Sequence, residues 1–418
     1  MTLAWLSLGA LVVAMIVSCT TRLNVGVLAI ALAWIVGVYF GGMGLGEVVG
    51  GFPVQLFLTL AGVMMFFTQA QINGTLDRVA QAAVRLCRGN TGLIPVMFFL
   101  LGCGLGSIGP GNVAGAALLA PMAMAVAARA AIPAFLMAIM VGNGAQASAL
   151  SPFAPTGIIV NGLMDRIGLP GYEWQTYWTN LVAHALVAFA GYFLLGGLRL
   201  FRREYTGGAD CDPADAMFDT THRITIFTIV VVLGAVVFLD ANIGMAAFAG
   251  AVALAAIRVA DHEQAIRRMP WTPIIMVTGV TVLVSLLEKT GGLDLFTALL
   301  ARLATGETVT GMVAFVTGVI SVYSSTSGVV LPAFLPTVPG LVERLGAGDP
   351  LTIAAAMNVG AHLVDMSPIS TTGAICVAAI VTADEVRPTY NKLLAWGLSM
   401  TVVGAILCWF LFGVLSIV

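Results

Sequence analysis

Charge is scarce in this chain. Of its 418 residues only 9% are Asp, Glu, Lys or Arg, 59% are hydrophobic, and the mean hydropathy is +1.01. A soluble domain carries about 25% charged residues. A chain of this length with so few could not cover its own surface in water. That excludes a soluble enzyme, a disordered scaffold and a secreted disulfide domain. Positive charge is not in excess either: the net charge is −2. No run of Arg and Lys is dense enough to grip phosphates, so no nucleic-acid partner is expected. The six cysteines (Cys19, Cys87, Cys103, Cys211, Cys376 and Cys408) form no C-x-x-C pair. They read as small apolar residues, not as a disulfide framework or a transition-metal site. The H-E-x-x-H motif is absent, and only His362 with Asp365 approaches a catalytic pairing, so an intramembrane enzyme lacks its chemistry. What remains is an all-α polytopic membrane protein.

Leu3–Ser18 is apolar, but Arg22 follows it and no positive charge precedes it. A secretory signal has the reverse order, so the segment reads as a retained first span. Crossing the hydrocarbon takes roughly 20 apolar residues. On that ruler, spans fall near 3–20, 24–43, 54–71, 133–165 and 174–198, then near 223–240, 243–260, 271–288, 350–382 and 389–416. A polar stretch rich in Asp and Arg separates the two sets. The expected organisation is a first repeat over 1–205, a cytoplasmic linker over 206–222 and a second repeat over 223–418.

The halves match at an offset of about 215–217. Gly74-Thr-Leu-Asp77 corresponds to Gly291-Gly-Leu-Asp294, and Ser151-Pro-Phe-Ala-Pro-Thr-Gly157 to Ser367-Pro-Ile-Ser-Thr-Thr-Gly373. Gly74–Arg88 and Gly291–Arg302 mix charge with apolar residues, as helices lying at the interface do. Short apolar stretches then run into polar breaks, Ser107–Asn112 and Tyr323–Gly328. A short helix, a polar break, a second helix and a charged end describe a re-entrant hairpin, over 91–130 and over 308–345. With the hairpins returning to their own sides, each half crosses five times. An odd number of crossings makes the second repeat inverted. Only Arg166, Lys289, Arg302 and Arg344 then fall on one face, and the other fourteen of the 18 Lys and Arg on the opposite, cytoplasmic face. Both termini are expected outside.

Inverted repeats with helices broken at equivalent positions point to a secondary transporter. There are four breaks: the two hairpin tips, and the Ser-Pro segments inside 133–165 and 350–382. One such motif is an ordinary kink; four in symmetric places are not. Half-helix N-termini attract carboxylates without a full buried charge, and freed hydroxyl and carbonyl oxygens suit sodium. The anion is expected at Gly111, Asn112, Ser151, Thr156, Thr326, Ser327, Ser370, Thr371 and Thr372. The cation, or a coupled proton, is expected at Ser107, Ser148, Ser324, Ser325, Ser367, Asp365 and His362. No other cofactor and no transition metal is expected. His362 and Asp365 form an i, i+3 pair on one face, read equally well as coupling groups or as a structural hydrogen-bonded pair. His184, alone in its span, reads as a packing residue.

The run Gln71-Ile-Asn-Gly-Thr-Leu-Asp77, with Gly92-Leu-Ile-Pro95 and Gly144-Ala-Gln146, resembles the MatC-type dicarboxylate (malonate) carriers, most clearly over residues 1–170. More broadly the architecture resembles the ion transporter superfamily, including the divalent anion/sodium symporters. Gly111-Asn112-Val113 and Thr326-Ser327-Gly328 occupy the places of that group's Ser-Asn-Thr hairpin signature, with Asn112 the identity. The resemblance implies a homodimer in a bacterial-type inner membrane, with a scaffold and a mobile transport domain working as an elevator. It implies a cation-coupled carrier of malonate or a C4-dicarboxylate. The alternative is the large membrane subunit of a binding-protein-dependent carboxylate transporter.

Overall fold

Each half of the chain runs through the same order of helices. The computed structural model describes residues 2–21, 23–84, 89–205 and 218–415. The first half comprises Leu3–Thr20, Val25–Trp34 extended by a π-helical turn Ile35–Phe40, the short Leu45–Val49, Val54–Ile72 and Thr75–Val84. It continues with Leu93–Ile108, Gly111–Arg129, Ala134–Ala147, Pro155–Arg166 and Glu173–Leu194. The second half repeats this as Thr220–Leu239, Ile243–Ala256, His262–Arg268, Trp271–Thr290 and Gly292–Ala301. Then come Val309–Ser321, Thr326–Leu345, Pro350–Leu363, Thr371–Ala378 and Ala383–Val414. The offset is 217 residues between Leu3 and Thr220 and 215 between Gly111 and Thr326. A one-turn helix Gly197–Leu200 and a two-residue antiparallel pair, Gly89–Asn90 with Glu204–Tyr205, are small additions to the all-α plan.

Among the described residues, seven helices are long and apolar enough to cross a membrane. Five of them are expected spans. The other two, Gly111–Arg129 and Thr326–Leu345, are the return limbs of the hairpins. They are longer than the limbs that enter: 19 residues against 16 in the first hairpin, 20 against 13 in the second. The second return limb opens with a π turn and passes through a 3-10 turn at Leu335–Thr337; Pro336 within that turn, and Pro332 and Pro339 on either side, remove backbone donors. Three expected spans end earlier than the sequence suggests, the one near 174–198 at Leu194, ahead of Gly196 at φ +91°. Near 24–43 the helix stops at Phe40, ahead of Gly42 at φ +63°; near 243–260 it stops at Ala256, ahead of Arg258 at φ +57°. The linker expected over 206–222 lies outside the described residues up to 217, as do Arg22, Arg85, Cys87, Arg88 and Cys211. Its last stretch caps the second half: Asp219 Oδ1 accepts the His222 N–H at 2.9 Å.

Small residues let the halves interlock. Val25–Trp34 packs on Trp271–Thr290, and Val54–Ile72 on Ile243–Ala256. A Cβ at Gly26 would meet the Ile275 carbonyl, and one at Gly279 the Gly26 backbone. A Cβ at Gly62 would meet the Gly244 carbonyl, and one at Gly244 would lie 2.6 Å from Thr59 Cα. Both crossings place glycine where two backbones touch, which suits helices that gain nothing from burying leucine in lipid. The hairpins are seated the same way: Gly144 lies against Phe99 backbone, and Gly360 against Ala314. One apolar core joins the early helices of both halves to the second hairpin and Pro350–Leu363. A second core joins the first hairpin to Ala134–Ala147 and Glu173–Leu194, with Met366, Cys376 and Leu393 from the other half.

Replacing Gly244 by Val should therefore cost roughly 1–3 kcal/mol by forcing the crossing apart. Gly9, where an added methyl would meet nothing within 4 Å, should accept Ala with a change of less than about 1 kcal/mol. Thermal unfolding of both purified variants in detergent measures the contrast.

Candidate functional site

All four breaks meet at one cavity. The first hairpin turns at Gly109 (φ +147°), Pro110 and Gly111 (φ +81°). A side chain at Gly109 would strike the Phe67 ring, so only glycine fits the tip against Val54–Ile72. The second hairpin turns through Val322–Ser325, where Ser325 Oγ accepts the Gly328 N–H at 3.1 Å and caps the return helix. The Ser-Pro segments interrupt the other two helices. Ala134–Ala147 gives way to Pro155–Arg166, and Pro350–Leu363, after a 3-10 turn Val364–Met366, to Thr371–Ala378.

The freed backbone groups are largely accounted for. Asn180 Nδ2 donates to the Gln146 and Ala147 carbonyls at 2.9 and 3.3 Å, where Ala134–Ala147 ends. Ser151 Oγ donates to the Ser107 carbonyl at 2.7 Å, tying one break to the first hairpin tip. Ser107 Oγ in turn bonds the Cys103 carbonyl and shares a 2.9 Å contact with Tyr177 OH. Ser148 Oγ donates to Ala145 O. Ser370 Oγ faces both the Asp365 and the Ser367 carbonyls. Left over are N–H groups in the first turns of four helices, beginning at Gly111, Pro155, Thr326 and Thr371, apart from Pro155, which has none, and Gly328, which Ser325 takes.

The cavity has a volume of about 630 Å³. Asn112, Thr156, Thr326, Ser327, Thr371 and Thr372 line it, each at the first or second position of one of those four helices, with Ser370 beside them. Ser324, Ser325, His362 and Asp365 line it as well. Five expected site residues do not. Gly111 shapes the tip, Ser151 and Ser107 bond each other's segments, Ser148 back-bonds its own helix, and Ser367 is fully buried. Among the described lining residues none is Lys or Arg, and Asp365 is the one carboxylate.

A polar bridge crosses the cavity floor. Asn112 Nδ2 donates to Gln146 Oε1 at 2.7 Å, and Gln146 Nε2 donates to Thr372 Oγ1 at 3.1 Å. One side chain thus joins the first hairpin to the broken helix of the second half. On the far wall Thr326 Oγ1 donates to Asp365 Oδ1 at 2.9 Å and contacts Ser321 Oγ. Ser324 Oγ meets Ser18 Oγ at 2.9 Å. Of the two readings of His362 and Asp365, the mutual hydrogen bond does not form. His362 turns back along its own helix, with Nδ1 2.7 Å from the Asn358 carbonyl, and Asp365 is bonded by the hairpin. Gln146, Ser18, Asn24 and Thr272 also line the cavity, beyond the residues expected from sequence. A lone Gln in the apolar run Ala134–Ala147 is the one local signal among them.

Residues 1–149 match the family model described as the dicarboxylate carrier protein MatC N-terminus. The first third of the chain is therefore similar to the N-terminal part of the MatC carriers. No curated protein matches the sequence. Among solved structures, MtrF of Neisseria gonorrhoeae, described within a class of antimetabolite efflux pumps, matches with a TM-score of 0.55 at 13% identity. That match covers 98% of this chain and 94% of MtrF. The YdaH transporter of Alcanivorax borkumensis, described as having an unusual topology, matches with a TM-score of 0.55 at 16% identity, over 90% of this chain and 88% of that one. The chain thus shares the fold of these transporters. The matched segment supplies Asn112, Gln146, Ser18 and Asn24 to the cavity, and residues beyond 149 supply Thr156 and most of the opposite wall.

Replacing Gln146 by Leu would leave the Asn112 amide and Thr372 hydroxyl unpaired in a buried place. It should destabilise the protein by roughly 1–3 kcal/mol. Replacing the solvent-exposed Thr20, whose hydroxyl bonds only the preceding turn, by Ala should change the midpoint little. Parallel thermal unfolding of the two variants tests this.

Proposed function

We propose that this protein is a secondary carrier of small dicarboxylates, malonate or a C4 acid, coupled to sodium or protons across a bacterial-type inner membrane. The observation that carries the reading is the convergence of four helix N-termini, two from each half, on one cavity without a described Lys or Arg. Each N-terminus offers unpaired N–H groups and a positive dipole end, which together hold a carboxylate. Asp365 in the same cavity repels an anion unless a cation or proton accompanies it, and that supplies the coupling. The recurrence of helix order at a constant offset supports two repeats, 1–205 and 223–418. An odd number of crossings per half, with the Arg and Lys bias, favours inverted topology with both termini outside. In this reading the early helices of each half form a scaffold and dimer base, and the hairpins with the broken helices move as the transport unit of an elevator.

Uptake of labelled malonate, succinate and citrate by purified protein in liposomes, with and without sodium or a pH gradient, tests the reading. Concentrative uptake of one or more diacids is expected. Uptake that appears only when a soluble binding protein is added would assign the chain to the binding-protein-dependent class. Asn112→Ala and Ser327→Ala should each raise KM roughly 10-fold or more, since each removes a polar group from a helix start facing the anion. Wild-type KM in both would reduce the tips to kinks.

Asp365→Asn should abolish the dependence of uptake on the driving ion while exchange of internal for external substrate continues. The substitution keeps an acceptor for Thr326 and removes the charge that the cation balances. Initial rates against sodium and pH in both proteins measure it. An unaltered ion dependence in the variant would return the coupling role to the hydroxyls and carbonyls at the breaks.

A further inference from the structure

The four helix starts around the cavity fall into two pairs, one from each half. In the first half the starts at Gly111 and Pro155 touch: a Cβ on Gly111 would lie 3.0 Å from Pro155 Cδ. In the second half the starts at Thr326 and Thr371 are tied through Asp365. Its carboxylate accepts the Thr326 hydroxyl at 2.9 Å, and its carbonyl accepts the hydroxyl of Ser370, the residue before Thr371. Each pair turns its positive dipole ends toward the same space. Two such pairs suit the two carboxylates of one diacid, and the gap between the pairs then sets how long that diacid must be.

One side chain spans the gap. Asn112, second residue of the return helix Gly111–Arg129, donates from Nδ2 to Gln146 Oε1 at 2.7 Å. Gln146 Nε2 donates at 3.1 Å to Oγ1 of Thr372, second residue of Thr371–Ala378. Among the described residues, no other side-chain hydrogen bond joins a helix start of one pair to a helix start of the other. Thr371–Ala378 also packs on Gly111–Arg129, which brings the two starts near each other. The hydrogen bonds, which weaken steeply as they bend, fix how the starts are set within that contact.

Gln146 is 1% exposed, with both the oxygen and the nitrogen of its amide engaged. It therefore acts on an occupant of the cavity through Asn112 and Thr372. The second half does not repeat the bridge. At an offset of 216 residues His362 stands in the place of Gln146, and it bonds the Asn358 carbonyl of its own helix. A bridge made once in a duplicated order of helices is not demanded by that order. We propose that Gln146 is the positioning residue for diacid length: its amide fixes the distance between the two carboxylate-holding pairs and so selects one diacid over homologues a methylene longer or shorter. The substrate class rests on the carrier reading above.

Calorimetric binding and liposome uptake of malonate, succinate and glutarate test this on the whole protein, at fixed sodium and a pH where all three are dianions. A fixed gap gives one preferred diacid, favoured over its neighbour in the series by about 10-fold or more in Kd and in kcat/KM. A flat wild-type profile overturns the proposal without any variant. Gln146→Met keeps length and bulk, loses both hydrogen bonds and should bring the three diacids close to parity. Should that variant fail to fold, Thr372→Val, which removes the bridge from its other end, carries the same test. Gln146→Asn, one methylene shorter, should raise the malonate-to-succinate ratio by about 10-fold. A loss of affinity or rate common to all three diacids, with the wild-type ratios kept, is the mark of a merely structural role and overturns the proposal. Discriminating binding without uptake leaves the positioning role standing and removes the carrier; uptake without discrimination does the reverse. Neither binding nor uptake of any diacid overturns both.

Discussion

A backbone broken inside a membrane has nowhere to send its polar groups. Water is not there to bond them, so irregular backbone survives only against protein or a wet cavity. Four helices of this chain are broken, and the rest of the architecture follows from satisfying those breaks. Carbonyls released at the end of Ala134–Ala147 are taken by Asn180. The carbonyl at the first hairpin tip is taken by Ser151. Ser151 reaches from one break to another, and the helix starts that remain unsatisfied face one space. The glycine crossings at Gly26 and Gly279, and at Gly62 and Gly244, hold the early helices close enough for that convergence.

The Asn112–Gln146–Thr372 bridge shows how tightly the convergence is specified. A buried amide with both its oxygen and its nitrogen engaged tolerates little displacement of either neighbour. It fixes the first hairpin relative to a helix more than two hundred residues away in sequence. Any motion that separated the hairpin from Thr371–Ala378 would have to break it. The walls of the cavity are therefore better pictured as one body than as two leaves.

Much of the fold was legible because breaks in apolar runs leave marks. Gly, Pro and Ser interrupt otherwise hydrophobic sequence at Ser107–Asn112, Tyr323–Gly328 and the two Ser-Pro segments, and helices break at each. The constant offset told which break answers which. What was not legible depends on partners far apart in the chain. Asn24 Nδ2 bonds the Thr272 carbonyl at 3.1 Å and Ser18 meets Ser324. Neither pairing leaves a local pattern in the sequence. His362 and Asp365 share a helix face but do not bond each other, for a local reason that spacing does not reveal. A helical side chain leans toward the N-terminus of its helix, where the Asn358 carbonyl captured the imidazole, while Thr326 from the hairpin supplied the carboxylate with a better donor.

The two halves share one order of helices and are unequal in charge. At offsets of 215 and 216 residues Asn112 answers to Ser327, Gln146 to His362, and Ala149 to Asp365. Both halves contribute two helix starts to the cavity, so the groups suited to an anion are shared evenly. The carboxylate and the cavity imidazole belong to the second half alone. On the carrier reading, this inequality makes coupling obligatory. Two unit charges of like sign about 5 Å apart at an effective dielectric near 20 repel by roughly 3 kcal/mol, a factor of more than about 100 in affinity. An anion entering beside a bare Asp365 would be expelled by that margin, and one entering with a proton or cation would not. A symmetric pair of neutral breaks would bind the anion without asking what came with it; one misplaced charge makes the companion ion a condition of binding.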